Sequence, residues 1–231
     1  MHVKLTADRT KIAVMATRKK EAGRSIIETM MVVTIAGILI SVAVPQMISA
    51  RRLLRTSSLA REIATQMRFV RQQAMTQRQS FTFQYDNSTK TVKIFDHNNN
   101  NNANAGCNIT GVQVLTASGY PNTSCTTLVA AIPMATGTFA SELNYGIPSG
   151  ISNATLDDGT TLTALSGTGL VNITFQPDGT VIDNTGAFTT ATLFFYNNQV
   201  PTQTASAISV LGTAGRIKIW RYSTSAGKFA E

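Results

Sequence analysis

Gly23-Arg24-Ser25-Ile26-Ile27-Glu28 runs without a break into Thr29-Met30-Met31-Val32-Val33-Thr34-Ile35-Ala36-Gly37-Ile38-Leu39-Ile40-Ser41-Val42-Ala43-Val44-Pro45, and the reading of the whole chain turns on this stretch. Between Ile26 and Val44 the one ionisable side chain is Glu28. About 20 mostly apolar residues, each rising 1.5 Å, cross a hydrocarbon layer as a helix. A carboxylate alone in that layer is costly, so Glu28 needs a cationic partner.

The residues before the apolar run are basic: Lys4, Arg9, Lys11, Arg18, Lys19 and Lys20 stand against Asp8 and Glu21, half of the chain's formal charge of +8. Cations beside a span stay cytoplasmic, which puts the C-terminal part on the other side. The apolar run is long for the core of a cleaved secretory signal, contains an acid and flows into a second helical pattern.

A basic leader ending in Gly23, a glutamate five residues later and an apolar helix closing near Pro45 together resemble the N-terminal signal of type IV pilins and type II secretion pseudopilins. The resemblance implies that a prepilin peptidase cuts after Gly23 and methylates the new terminus at Arg24. It also implies that Glu28 pairs with the α-amino group of a neighbouring subunit during filament assembly. Arg24 departs from the pattern, where Phe or Met usually follows the cut. The implied organisation is a leader at 1–23, a transmembrane half-helix at 24–45, an amphipathic half-helix at 46–79 and a periplasmic head at 80–231. Before assembly the chain would cross the inner membrane once.

Past Pro45 the apolar pattern becomes one-sided. Leu59, Ile63, Met67, Val70 and Ala74 recur at steps of four and three, the period of an amphipathic helix. Pro45 lacks a backbone donor and clashes with the preceding turn, which loosens the junction. The other faces carry Arg51, Arg52, Arg55, Arg61, Arg68, Arg71 and Arg78, with Glu62 as the one acid. These arginines can meet lipid phosphates or neighbouring subunits, and the sequence leaves both open.

From Phe81 the period changes to two. Phe81 to Tyr85 and Thr91 to Phe95 flank Asp86-Asn87-Ser88 and read as a hairpin. Asp96-His97 and the asparagines that follow read as a surface loop. Further strands are expected at 111–115, 127–132, 160–165, 171–175, 181–183, 192–196, 207–211 and 216–222. About 185 residues suffice for one head with its own core, and the abundance of Thr, Asn, Ser, Gly and β-branched residues favours strands and turns. The expected fold class is α+β: a long N-terminal helix packed on an antiparallel two-sheet head.

Two internal segments extend the resemblance. One is Leu59-Ala60-Arg61-Glu62 through Arg71-Gln72-Gln73-Ala74-Met75. The other is Ile173-Thr174-Phe175-Gln176-Pro177-Asp178-Gly179-Thr180, followed by Gly215-Arg216-Ile217-Lys218-Ile219. Together they look like GspH/FimT-type minor pilins and pseudopilins, which implies a structural and assembly subunit with other pilins as partners. Some FimT-like proteins carry a Gly-Arg-x-Arg motif at this place and are associated with DNA binding during natural transformation, which implies DNA uptake as the alternative role. Here Lys218 replaces the second arginine, keeping the charge and losing the bidentate fork. Period two would put Arg216, Lys218, Trp220 and Tyr222 on one strand face, where cations and aromatics can hold nucleic acid.

Nothing in the chain assembles into catalytic chemistry. The histidines are His2 and His97, and neither joins a nucleophile and an acid in a plausible set. Asp157, Asp158, Asp178 and Asp183 sit at expected turns without ordered calcium-loop spacing. No enzyme, metal or cofactor is expected. Cys107 and Cys125 could close a loop of about 18 residues in an oxidising compartment, and two free thiols remain the other state open to them.

Overall fold

A computed structural model describes residues 25–97, 126–151, 169–183 and 186–231. Gly23, Arg24, Cys107, Cys125, Asp157, Asp158 and the strands expected at 111–115 and 160–165 lie outside the described residues. The chain divides into two units, Met1–Pro45 and Gln46–Glu231. Helix α1, Ile26–Gln77, is continuous through Pro45, and the division follows that residue.

In chain order the second unit continues with β1 (Phe81–Asp86), β2 (Thr91–Asp96), β3 (Thr127–Pro133), α2 (Gly137–Glu142), β4 (Leu143–Tyr145), β5 (Leu170–Phe175), β6 (Val181–Ile182), β7 (Ala191–Asn197), α3 (Pro201–Thr204), β8 (Ser206–Leu211), β9 (Arg216–Ser223) and β10 (Lys228–Ala230). The described strands form two antiparallel sheets of five, ordered β3-β2-β1-β5-β6 and β10-β9-β8-β7-β4. The expected hairpin is present, with Phe83 facing Ile94 across β1 and β2. Four short elements carried too little periodicity to be expected: α2, β4, α3 and β10.

Within the second unit, α1 packs against a two-sheet antiparallel β head. Leu59, Ile63, Met67, Val70 and Ala74, the stripe expected from the sequence, are all buried. They share one core with Phe83, Ile94, Ile173 and Phe175 of the first sheet and Leu193, Phe195, Ile208 and Ile217 of the second. Each fully buried large aliphatic side chain stabilises by roughly 1.5–3 kcal/mol relative to exposure. The second sheet is apolar on its other face as well. There Phe194, Ala207, Trp220 and Phe229 form a smaller core with Ile151 and Ala205.

The helix ends at a left-handed residue. Arg78 has φ 54°, and the amide of Gln79 donates to the carbonyl of Ala74 at 3.1 Å, the six-residue closure that turns a chain out of a helix. Two turns before Arg78, Arg71 reaches both sheets. Its Nε donates to the carbonyl of Gly179 at 3.1 Å and its Nη2 to that of Ala214 at 2.9 Å. Gly179 lies in the β5–β6 turn and Gly215 in the β8–β9 turn, with φ +81° and +57°. The turns also meet directly, because the amide of Val181 donates to Gly212 O at 2.8 Å. A methyl group on Gly215 would fall inside the Gly179 carbonyl and within 2.7 Å of Arg71 Nε.

His97 differs from its expected place in a surface loop. It follows directly on β2, its amide donates to Ser80 O at 3.1 Å, and its Nε2 lies 2.6 Å from Thr82 Oγ1. That hydroxyl is also 2.8 Å from Thr174 Oγ1, so the ring is tied to β1 and β5. Burial pushes the imidazole pKa down to about 4. A neutral ring in the fold and an ordinary one in the unfolded chain mean that protonation favours unfolding. The stability it contributes is full above the unfolded value of about 6.5 and is lost as pH falls from there toward the folded value.

Two outcomes follow from this packing. Gly215→Ala should destabilise the head by about 2 kcal/mol or more, combining left-handed strain with the clash on Gly179, and an unchanged thermal midpoint would refute the close contact. His97→Gln should flatten the fall in thermal midpoint between pH 7 and pH 4.5, with a difference from the parent on the order of 2 kcal/mol across that window. Parallel curves for the two proteins would show that the ring is not buried as a neutral group.

Candidate assembly surfaces

The described residues of the first unit are an apolar helical stretch with a single acid, Glu28. From Ile26 to Pro45 every residue is exposed, including Ile27, Met31, Ile35 and Leu39. This length and composition suffice to cross a membrane. Its hydroxyls are satisfied by its own backbone: Thr34 Oγ1 donates to Met30 O at 2.8 Å and Ser41 Oγ to Ile38 O at 2.7 Å. Such local bonds remove the cost of carrying hydroxyls into lipid.

Glu28 lies in the first turn of α1, where a negative charge is favoured by the exposed amides of the helix start. Its side chain is exposed, and no cation among the described residues lies within ion-pair distance. A carboxylate so placed is available to a cation from outside this copy of the chain.

In the head, the helix is anchored at both ends by arginines. Arg52 grips Glu142 with two bonds, Nε to Oε2 at 3.1 Å and Nη2 to Oε1 at 2.9 Å, and Asn197 Nδ2 donates to the same Oε2 at 2.9 Å. The hydrogen bond from Arg52, then that from Asn197, holds the Glu142 carboxyl below the usual range. At the other end stands the Arg71 contact with the two turns. Sequence reasoning singled out both arginines but neither set of partners. Glu142 and Asn197 lie 90 and 145 positions beyond Arg52, and no local pattern links them.

The segments that carried the internal resemblance therefore meet at one place. Arg71 comes from the first, and Gly179 and Gly215 from the two parts of the second. Pro177-Asp178-Gly179 is a turn, closed by the Gly179 amide on Gln176 O at 2.8 Å. Asp178 Oδ1 accepts from the Thr180 amide at 2.9 Å and hydroxyl at 2.6 Å. Asp183 likewise accepts from the amide of Ala187 at 3.0 Å. Both aspartates serve their own turns. Among the described residues, no group of three or more His, Cys, Asp or Glu is placed to hold a metal.

Strand β9 alternates as its sequence suggests. Ile217 and Ile219 join the main core, and Trp220 and Tyr222 join the smaller one. Trp220 is 1% exposed, with Nε1 donating to Ser209 Oγ at 2.8 Å. Tyr222 packs edge-on against Phe229, ring centres 5.4 Å apart. Lys218 Nζ lies 4.9 Å from the Trp220 ring centre and 2.6 Å from Glu231 Oε2. The indole is thus enclosed, and the lysine is already paired. Arg216 and Arg221 are the exposed cations of the strand.

No protein-family model and no curated protein matches the chain. Two crystal forms of the Pseudomonas aeruginosa (strain PAO1) type IV minor pilin FimU are similar in structure, each at 17% identity and a TM-score of 0.40. Each match covers 76% of this chain, with 92% of the FimU chain covered in one form and 97% in the other.

Proposed function

We propose that this chain is a minor subunit of a type IV pilus or a type II secretion pseudopilus, inserted through α1. The observation that carries this reading is the fully exposed apolar stretch 26–45 of α1, with Glu28 as its single ionisable side chain, directly behind Gly23-Arg24 in the sequence. In this reading a prepilin peptidase removes residues 1–23 and methylates Arg24. The head stays periplasmic while the helix holds the subunit in the inner membrane. On assembly the apolar half leaves lipid for a bundle of neighbouring helices, and Glu28 sets the axial register by pairing with the α-amino group of another subunit. An unpaired buried charge is far costlier than a paired one, so register errors are penalised.

A second reading is DNA binding by the head during uptake. Exposed Arg216 and Arg221 on β9 favour it. With Trp220 enclosed, such binding would act on phosphates without stacking on bases.

Glu28→Ala should leave the protein in the membrane fraction and remove it from sheared filaments, whereas Gly23→Ala should leave it uncleaved at its longer length. Undiminished filament content of the Glu28 variant would sink the assembly reading. For the second reading, a salt series with duplex DNA should show affinity falling by roughly 0.9 log units per log unit of salt for each phosphate neutralised. Arg216→Ala/Arg221→Ala should make that slope shallower, and absence of binding at low salt would eliminate DNA as a partner.

A further inference from the structure

Where the β5–β6 and β8–β9 turns meet, helix α1 contributes Arg71 and, one turn later, Met75. The thioether has a defined seat. A methyl group on Gly179 would lie 2.9 Å from Met75 Sδ, 3.1 Å from Arg71 Nε and 3.3 Å from Arg71 Nη2, so the sulfur and one edge of the guanidinium press on the same side of that glycine. That edge is the one already in use, with Nε on the carbonyl of Gly179 and Nη2 on that of Ala214. Beside it, Gly215 meets the Gly179 carbonyl with no space for a Cβ. An apolar, polarisable sulfur thus completes a tight contact between three segments of the chain.

The same side chain is open to solvent. Met75 is 40% exposed, whereas Met67 and Met134, packed in the head, are 0% and 9% exposed. Met47 is exposed as well, but it precedes Met75 by roughly eight helical turns and so lies far from both turns. Met30 and Met31 belong to the apolar stretch of the first unit. Among the methionines of the described residues, Met75 alone combines access from water with a seat against a directional contact.

We infer that Met75 is an oxidation site whose sulfoxide breaks the hold of Arg71 on the two turns. The oxidant is a peroxide. A sulfur lone pair attacks one peroxide oxygen, the O–O bond breaks as the S–O bond forms, and the departing hydroxide takes the proton of the transferred hydroxyl and leaves as water. Sulfur loses two electrons and the peroxide gains them, so the step needs no further reactant. The product carries a strong acceptor oxygen where the thioether is only a weak one. That oxygen arrives at the Nε–Nη2 edge of Arg71 and competes with the carbonyls of Gly179 and Ala214 for the same N–H groups. It also adds bulk and polarity where a methyl group on Gly179 would already be too close to the sulfur. The apolar stripe from Leu59 to Val70 is untouched, so the head loosens at this corner without losing its core.

The test treats the full chain in detergent micelles with dilute hydrogen peroxide and follows each methionine by proteolysis and mass spectrometry. Met75 should gain its oxygen roughly tenfold faster than Met67 or Met134. Trp220, the chain's one tryptophan, is enclosed in the head, and its fluorescence reads the head's thermal midpoint. Oxidation should lower that midpoint by about 3 °C or more, and methionine sulfoxide reductases should restore it. Met75→Leu keeps an apolar side chain in the seat and should start near the parent's midpoint and show no fall with peroxide, which separates Met75 from Met47 and from the cysteines. Met75→Gln places a permanent acceptor there and should start at the lowered midpoint without peroxide. Oxidation of Met75 no faster than that of the buried methionines would overturn the inference. An equal fall in Met75→Leu, or an oxidised Met75 with an unchanged midpoint, would overturn it as well.

Discussion

One helix stripe has to satisfy two sheets at once. Ala60, Ala64 and Ala74 keep α1 slender where it is buried, while Leu59, Ile63, Met67 and Val70 fill the space between it and the inner faces of both sheets. Remove that stripe and each sheet exposes an apolar face, since β1, β5, β7 and β8 all turn large side chains toward it. The helix is therefore the shared core element of the head, and the strands are laid out around it. The second sheet needs further cover because it is apolar on both faces. The smaller core around Trp220 and Phe229 supplies this.

Apolar burial is non-directional, so it does not fix where along the helix each sheet sits. Directional contacts do that. Arg52 on Glu142 and Asn197 holds one end, and Arg71 on the carbonyls of Gly179 and Ala214 holds the other. A guanidinium suits both sites because its planar fork donates along fixed directions, which an ammonium does not. Gly215 is tied to this contact by space: it presses against the Gly179 carbonyl with no room for a Cβ. The Gly-Arg pair at the start of β9 thus has a packing role in its glycine, separate from whatever its arginine does at the surface.

The charge distribution separates along the same helix. Arg52 and Arg71, turned toward the head, find carboxylate or carbonyl partners within the chain, whereas Arg51, Arg61 and Arg68 have no carboxylate within ion-pair distance among the described residues. Polar groups on the first sheet are paired among themselves. Thr82, Thr174 and His97 form one set, Gln84 donates to Asn172 at 2.9 Å, and Asp86 accepts from Ser88 and Lys93. Burial alone would raise the Asp86 pKa, but its hydrogen bonds with Ser88 and Thr89, together with Lys93, hold it well below the usual carboxylate range. Most of the buried polarity on this sheet is paired within the fold, the exceptions on and beside it being Gln79 Oε1, the Tyr85 hydroxyl and His97 Nδ1, which are buried without a hydrogen-bond partner.

Much of this was legible in the residues because the signals are local and periodic. The lone acid in an apolar run, the stripe from Leu59 to Ala74, the hairpin at Phe81 to Phe95 and the turn at Pro177-Asp178-Gly179 all arise from neighbours a few positions apart, and for these the sequence alone was sufficient. Short elements such as α2, β4 and β10 were not legible, since three to six residues hold too little of a period to stand out. Nor was the burial of Trp220, because alternation along β9 says which residues share a face and is silent on what covers that face. The partners of Arg52 and Arg71 come from segments about 90 to 140 positions away, brought together only when the two sheets close on the helix. Periodicity along one segment determines which side of that segment is apolar. Which arginines end up paired inside the head and which remain free to meet another molecule is decided by the tertiary fold, because pairing depends on distance in space between groups the chain itself keeps far apart.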